Sequence, residues 1–500
     1  MKKFMIFSFL ILIFLVSCDL ESLKHEDKEA DDSFDIFDKC DCNEIIDDVD
    51  DDVLDVVDDN EVVEVSLLDE NIVADFQNRI PSKSAFFDGG SENYEKEMDG
   101  AGVPLKDGKY NPSHIAQYVI DLFCEHLNDP DDNEKIEKIS NSARWLFDNL
   151  EEYENFSFWL FYDIPGYMVE MPWASSLTNS WGTIALIYAA YLLPDKNEEY
   201  MRSAIRALNY TFIPMEKGGG LGFWENGTIW FEEYPNIENP NHVLNGYLFS
   251  LDVMFIIKDL ISDQNLVNNL KIGFESLEKN ILEFDAWYGS YYDYYGKNNK
   301  IGMAYHDLHW KQLAWAYYKT DIEIFHEISK RWFEAQNQKV QSVEASSTID
   351  SSHGSEKLND GIYWYEYWSS KAPVEIILSF EEYQTVYGVN VFYFKDKEHQ
   401  TIEFYFKDKS GTNKKINESN LKVINYDYNI TGNHETVVIP FKFLEKIETD
   451  EIKIIIKESR ESGIIAIREI GVMKDMTAEF EKRYHELILD NEWYMTGKLF

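Results

Sequence analysis

The sequence predicts a multidomain protein with separate α and β parts: an (α/α) toroid of about eight helices followed by a β-sandwich or jelly roll. Two observations carry this. Apolar residues between Asn111 and Gln336 recur with a helical period in paired stretches, and after Gln338 they recur in short alternating runs broken by Gly, Asp and Asn. A third observation sets the boundary of the folded part. Residues 19–75 carry 24 acidic against 3 basic side chains, a local charge of −21 within a total of −46. Such a stretch repels itself too strongly to collapse.

The chain opens on Met1-Lys2-Lys3 and an apolar run from Phe4 to Val16, the pattern of an export signal over residues 1–17, too short to span a bilayer stably as a helix. Leu15-Val16-Ser17-Cys18 resembles the bacterial lipobox, which implies acylation of Cys18 and a lipid anchor at an extracytoplasmic membrane face. Residues 18–75 then read as an acidic, disordered tether, and 76–109 as a short lead-in. Cys40 and Cys42 lie in the tether and Cys124 in a helical pattern, so neither a disulfide framework nor a zinc spacing is present. Outside the tether the chain keeps a net charge of −25, which argues against nucleic acid as a partner.

The first helix starts behind Asn111-Pro112, a cap and first-turn proline, with His114, Ile115, Tyr118, Val119, Leu122 and Phe123 on one face. Further helices are expected near 133–150, 176–193, 197–210, 242–262, 264–283, 304–319 and 321–334. Thr183 to Leu193 is apolar almost all round, as an inner helix would be. The aromatic-rich connections 155–175, 211–241 and 284–303 are where a cleft would be built. The second domain, 340–473, holds strands such as 374–378, 389–393, 401–405 and 452–456, and the last segment, 474–500, is a helical pattern from Ala478 to Leu489.

Reactive side chains are densest at Glu232, Glu233 and Tyr234, then at Tyr292, Tyr305, His306 and His309. Their order and spacing matter more than their number. Asn111-Pro112-Ser113-His114, Trp173-Ala174-Ser175, Gly218-Gly219-Gly220, Glu232-Glu233-Tyr234-Pro235, Val243-Leu244-Asn245-Gly246-Tyr247, Tyr292-Asp293 and Tyr305-His306 with His309 resemble the C-terminal domain of the D-glucuronyl C5-epimerases. That resemblance implies an isomerase converting glucuronate to iduronate within heparan-type chains. It places the catalytic carboxylate on Glu233 and active-site tyrosines on Tyr234, Tyr292 and Tyr305, with Trp173 and Asn245 on the substrate side. Two departures put the substrate's identity in question: Asn179-Ser180-Trp181 replaces the family's Gln-Gly-Gln run, and its large N-terminal β domain shrinks to 76–109. Ala345-Ser346-Ser347, Leu358-Asn359-Asp360-Gly361, Trp368-Ser369-Ser370 and Arg468-Glu469-Ile470-Gly471-Val472 resemble the discoidin, or factor 5/8 type C, module, a galactose-binding-like sandwich, which implies carbohydrate binding.

Epimerisation at C5 of a uronate removes a proton α to a carboxylate and returns one to the opposite face, so two proton-transfer groups must flank the ring. Glu233 and Tyr305 are the expected pair. Tyr234, Tyr292, His306, His309 and Lys311 are candidates for stabilising the enediolate. No metal or cofactor is expected: His306 and His309 lack an HExxH context, and no acidic loop has a calcium-binding spacing, though a structural calcium ion would be compatible with the composition. Two alternatives share these residues: a polysaccharide lyase that abstracts the same proton and expels the C4 substituent, and an inactive surface glycan-binding lipoprotein. Arg144, Arg202, Arg206 and Lys217 are the candidate cations for an acidic polymer.

Overall fold

The computed structural model describes residues 65–71, 76, 80–87, 90–162, 167, 169–294, 303–360, 367–394, 399–424, 427–431, 434–459, 463–491 and 498–499. The expected signal and lipidation site at Cys18, and nearly all of the acidic tether, lie outside these residues. Among the described residues no helix is long and apolar enough to cross a membrane.

Among the described residues eight α-helices form the first body: α1 (Pro112–Asn128), α2 (Asn133–Asp148), α3 (Ser176–Leu192), α4 (Asn197–Asn209), α5 (Leu244–Lys258), α6 (Gln264–Asn280), α7 (Met303–Thr320) and α8 (Glu323–Gln336). Local chemistry starts several of them. Asn111 accepts the His114 amide at 3.0 Å ahead of Pro112; Asp132 and Asp263 cap α2 and α6 in the same way. Helices α3 and α5 are buried on nearly every face. They occupy inner positions, with α4 and α6 against their outer sides.

The inner helices pack in the order α1, α3, α5, α7, each with the next outer helix as its hairpin partner. Of the expected toroid the structure shows four successive helical hairpins, and α1 and α7 share fewer close contacts than the successive inner pairs do. The segment before α1 lies against the inner faces. Phe86 packs edge-on against Phe249 and Trp315 at 5.4 and 5.7 Å, and Phe87 against Trp181 at 5.9 Å. Ser84 donates to Asp252 at 2.5 Å, and the amides of Gly90 and Ser91 donate to Glu125 at 3.1 and 2.9 Å. Burial drives the Asp252 carboxyl up to about 6. A strap that brings its own hydrogen bonds can cross an apolar core without orphaned backbone groups.

Two short hairpins, β1 (Glu151–Tyr153) with β2 (Phe156–Phe158) and β3 (Leu221–Phe223) with β4 (Ile229–Phe231), lie within the helical part, and among the described residues nine further strands follow in one antiparallel sheet, whose backbone order is β6 (Trp368–Lys371), β13 (Ile464–Lys474), β7 (Val374–Phe394), β12 (His434–Ser459), β8 (His399–Lys407) and β9 (Asn413–Lys415). Short strands β5 (Ser342–Ala345), β10 (Leu421–Val423) and β11 (Asp427–Thr431) flank β7 and β12. The long strands β7 and β12 break register between Lys442 and Ile447 and between Thr449 and Glu451. On either side of the breaks, Ile376, Leu378, Ile452 and Ile454 share one core with Val389, Val391, Val437 and Ile439. The sheet is therefore folded over itself, because both halves of each strand bury side chains in the same interior.

Residues Val63–Phe500 cluster as one unit, and the two bodies are joined by specific contacts. Tyr387 on β7 donates to Glu334 on α8 at 2.6 Å, and Glu334 also accepts the Met476 amide at 2.9 Å. Helix α9 (Thr477–Asp490) then packs Phe480 and Tyr484 against Phe333 and Tyr317, at 5.7 and 5.9 Å.

Candidate functional site

The paired glutamates are delivered by a small hairpin, β3 (Leu221–Phe223) with β4 (Ile229–Phe231), and the structure gives them different tasks. Glu232 is fully buried and both its oxygens are taken by one residue: the His242 amide donates at 3.0 Å and its ring Nδ1 lies at 2.5 Å. His242 adopts φ 47° to do this, and Trp224 stacks on its ring at 4.2 Å. A Cβ on Gly222 would come within 2.6 Å of the Glu232 carboxylate, so that position needs glycine. Glu232 is thus a structural clamp. Glu232→Ala is expected to destabilise the fold by about 1–3 kcal/mol for each His242 donor left without an acceptor, checked by urea denaturation.

Glu233 is buried, and its Oε2 has no hydrogen-bond partner. It faces the first turn of α5, where a Cβ on Gly246 would lie 2.6 Å from Oε2 and 3.1 Å from the Glu233 Cβ. Burial drives the carboxyl up to about 7; hydrogen bonds from Tyr234 and Tyr292 oppose the rise, and the charges of Asp293 and Glu232 add to it. Gly246→Ala should keep or improve the helix, since Ala is favoured over Gly by about 1 kcal/mol. It should nevertheless push the carboxylate aside and cut turnover by about 10²-fold, a split that circular dichroism and rate measurements on one sample would reveal.

Three tyrosines surround this carboxyl. Tyr234 follows it directly and stacks on Tyr167 at 4.3 Å; Trp173 lies 5.4 Å from Tyr234 and stacks on Phe161 at 4.5 Å. Tyr292 arrives on the connection before α7. There its carbonyl accepts the Leu244 amide at 3.1 Å and the Tyr294 amide donates to Asn241 at 3.1 Å, locking the connection to the start of α5. The rings of Tyr292 and Tyr305, the latter on the first turn of α7, are 4.5 Å apart. The Tyr292 phenol hydrogen-bonds with Glu233, Tyr234 and Tyr305. Burial first, and the nearby Glu233 carboxylate second, hold Tyr234, Tyr292 and Tyr305 above the ordinary phenol value. All three are proton donors at neutral pH.

The histidines lie deeper and serve a different purpose from the one expected. The Ser290 amide donates to His306 Nδ1 at 3.1 Å, so that nitrogen carries no proton, and Nε2–H donates to the Trp332 carbonyl at 2.9 Å. Ser290 Oγ lies 2.9 Å from His306 Nδ1 and 2.8 Å from His309 Nδ1. One proton arrangement satisfies every contact: the hydroxyl donates to His306 and accepts from His309 Nδ1–H. His309 Nε2 is then a bare acceptor, buried and without a partner. Burial lowers His306 to about 4 and His309 well below its usual value. Both are neutral, so neither supplies the positive charge an enediolate would want.

Lys311 points elsewhere on α7, pairing with Asp307 and lying 5.7 Å from the Trp310 ring. Asn245 starts α5 beside Gly246; its carbonyl accepts from Gln312 at 3.2 Å, while Asn245 Oδ1 and Gln312 Oε1 are buried and unpartnered. Arg206 is spent on structure, bound to Glu70 at 2.6 Å and to the Glu154 and Phe156 carbonyls. Arg144 and Arg202 pair with acids one turn away on their own helices. No group of three or more His, Cys, Asp or Glu side chains suited to a metal occurs among the described residues.

Sequence reasoning passed over Tyr167, whose hydroxyl donates to Asp293 at 2.5 Å, and Ser290, and it gave Gly246 and Gln312 only as motif positions without a role. Tyr167 sat in a stretch already expected to build a cleft. The parts played by the other three depend on neighbours from distant segments.

Comparison with known proteins gives matches to parts of the chain. Residues 151–334 match the family model described as the D-glucuronyl C5-epimerase C-terminus, a span that contains Glu233, Tyr234, Tyr292 and Tyr305. An uncharacterized protein of Methanocaldococcus jannaschii is 30% identical over 176 residues, 35% of this chain, and the chain spans just over half (56%) of that relative's length. Among solved structures, a pectin-binding carbohydrate-binding module is similar over 27% of this chain and 91% of its own, with 16% identity and a TM-score of 0.21. A family 32 module of AlyQ in complex with 4,5-unsaturated mannuronic acid is similar over 27% of this chain and 95% of its own, with 13% identity and a TM-score of 0.21. The family 32 module of Clostridium perfringens NanJ, in complex with galactose, is similar over 26% and 91%, with 14% identity and a TM-score of 0.20. The helical part of this chain, from the strands before α3 through α8, is therefore similar in sequence to the C-terminal domain of the D-glucuronyl C5-epimerases.

Proposed function

We propose that the protein is a C5-epimerase acting on glucuronate units of a polysaccharide. The observation that carries this is Glu233: a buried carboxyl held near 7, with a free oxygen, ringed by phenols, inside the span that matches the epimerase family model. A group poised near neutrality is the one suited to take a weakly acidic C–H proton.

In the proposed step Glu233 removes the C5 proton, and the C–H electron pair moves into the substrate carboxylate to give the enediolate. Tyr305 donates its phenolic proton to the opposite face of C5, which re-forms the C–H bond with inverted configuration. Glu233 is then protonated and Tyr305 a phenolate. Tyr292, hydrogen-bonded with both, offers the route by which the proton returns. Phenols aimed at the charge that develops on the carboxylate supply the electrostatic stabilisation. The chemistry uses side chains alone, without metal or cofactor. Trp173, stacked into the wall behind Tyr234, and the unpartnered Asn245 and His309 acceptors are the proposed substrate-side groups.

The test is proton NMR of uronate polysaccharides incubated with the purified protein in heavy water. Loss of the C5 proton signal with appearance of iduronate supports epimerisation. An unsaturated product absorbing in the ultraviolet selects the lyase, and binding without exchange selects the inactive binder. We further propose that Cys18 carries lipid and holds the enzyme at an extracytoplasmic membrane face among such polymers. A Cys18→Ala chain that remains in the membrane fraction contradicts this.

A further inference from the structure

The connection that carries Tyr292 is gripped from two sides, and only one of them belongs to the helical body. On the helical side, Ser290 is tied to His306 and His309, and Asp285 pairs with Arg331 and accepts from Trp332 Nε1 at 2.9 Å. On the other side Ala286, Trp287 and Tyr288 form a separate buried cluster with Phe392 of β7 and Val438 of β12. Tyr288 meets Phe392 edge-on at 5.4 Å, and Trp287 meets Tyr387 at 5.9 Å. Lys442 of β12 and Arg331 of α8 lie over Trp287, at 5.1 and 5.8 Å. Gln338 donates to the Tyr288 carbonyl at 3.2 Å and accepts from Asn390 of β7 at 2.7 Å.

Trp287 holds φ 66°, a conformation costly for a bulky residue and kept only where its surroundings enforce it. Those surroundings come largely from the sheet. We infer that the β-sandwich is part of the active-site scaffold: through Phe392, Val438 and Lys442 it seats residues 286–288 and so positions Tyr292 against Tyr305 and Glu233. The inference rests on the epimerase reading for the role of Tyr292, but not for the seating itself. Phe392, Val438, Trp287 and Tyr288 are positioning residues, since none of them reaches the reacting atoms.

The experiment compares the full-length protein with Phe392→Ala and the milder Val438→Ala. Amide hydrogen exchange of residues 286–294 should quicken by about tenfold or more while α1 and α3 stay protected, because a segment's local opening follows its own contacts. On a uronate polysaccharide kcat should fall about tenfold or more with KM changed much less, as expected when a misplaced group matters only to the chemical step. The acid limb of the rate profile should also move to higher pH, since a displaced Tyr292 no longer hydrogen-bonds to the Glu233 carboxylate. Trp287→Phe, which keeps an aromatic ring at this position, should retain most of the rate that Trp287→Ala loses. Unchanged exchange at 286–294 in both sandwich variants overturns the inference. If the wild-type protein moves no C5 proton on any polymer, the epimerase reading falls, and the amide-exchange comparison still decides this one.

Discussion

Glu233→Gln is expected to lower C5 inversion by about 10²–10⁴-fold, the range associated with losing a positioned general base, and to make the folded protein more stable at pH 8. The two effects share one cause. Burial holds the carboxyl at about 7 in the fold, against 4.5 when exposed. Below 4.5 the group is neutral in both states and costs nothing. As the pH rises through 4.5 to 7 the unfolded chain ionises while the fold resists, so stability is lost across that window and stays lost above it. The displacement corresponds to something on the order of 3 kcal/mol, which a neutral glutamine would recover. Urea denaturation of both proteins at pH 4 and pH 8 measures it: the curves should nearly coincide at pH 4 and separate at pH 8, with the variant the more stable. In the wild type the same ionisation sets activity, which should rise about tenfold per pH unit below 7 and then level off. Coincident denaturation curves at pH 8, or inversion at the wild-type rate, would show that Glu233 is not the buried base.

Tyr305→Phe should also cost about 10²–10⁴-fold in inversion, the range for losing a positioned acid, but with a different signature. Its phenol is held above the usual value by burial and by the Glu233 carboxylate, so it gives a proton at neutral pH rather than taking one. Phenylalanine keeps the ring that packs 4.5 Å from Tyr292 and removes only the donor. With Glu233 intact, the enediolate still forms and is reprotonated from the face it left. Deuterium should therefore enter the glucuronate with retained configuration while iduronate nearly vanishes. The ratio of exchange to inversion, read by NMR in heavy water, separates this from a general loss of fold. A variant that inverts as fast as the wild type removes Tyr305 from the donor's role.

The differing fates of the reactive residues explain how much of the site was legible beforehand. Glu232 and Glu233 are chemically identical and adjacent. One became a clamp and the other a poised carboxyl because His242, ten residues on, takes a left-handed backbone and turns both its donors on Glu232 alone. His306 and His309 had the right residue type and spacing for a charged site. Their shared partner, Ser290, lies on a different segment and makes them a neutral proton-ordered pair. Lys311 was a candidate for the enediolate and Arg206 for an acidic polymer, and acidic groups in the fold claim both.

Local pattern was enough to mark the division into a helical and a strand-rich part, the positions of the eight helices, and Glu233, Tyr234, Tyr292 and Tyr305 as one group. Periodicity, caps and short motifs are local properties, written within a few turns of chain. The remainder is non-local. Tertiary packing laid the segment before α1 across the inner helices, brought Gly246 within reach of Glu233, and set the sheet against the connection that carries Tyr292. Burial and hydrogen-bond partners drawn from distant segments set a side chain's ionisation and freedom, and no window of neighbouring residues contains them.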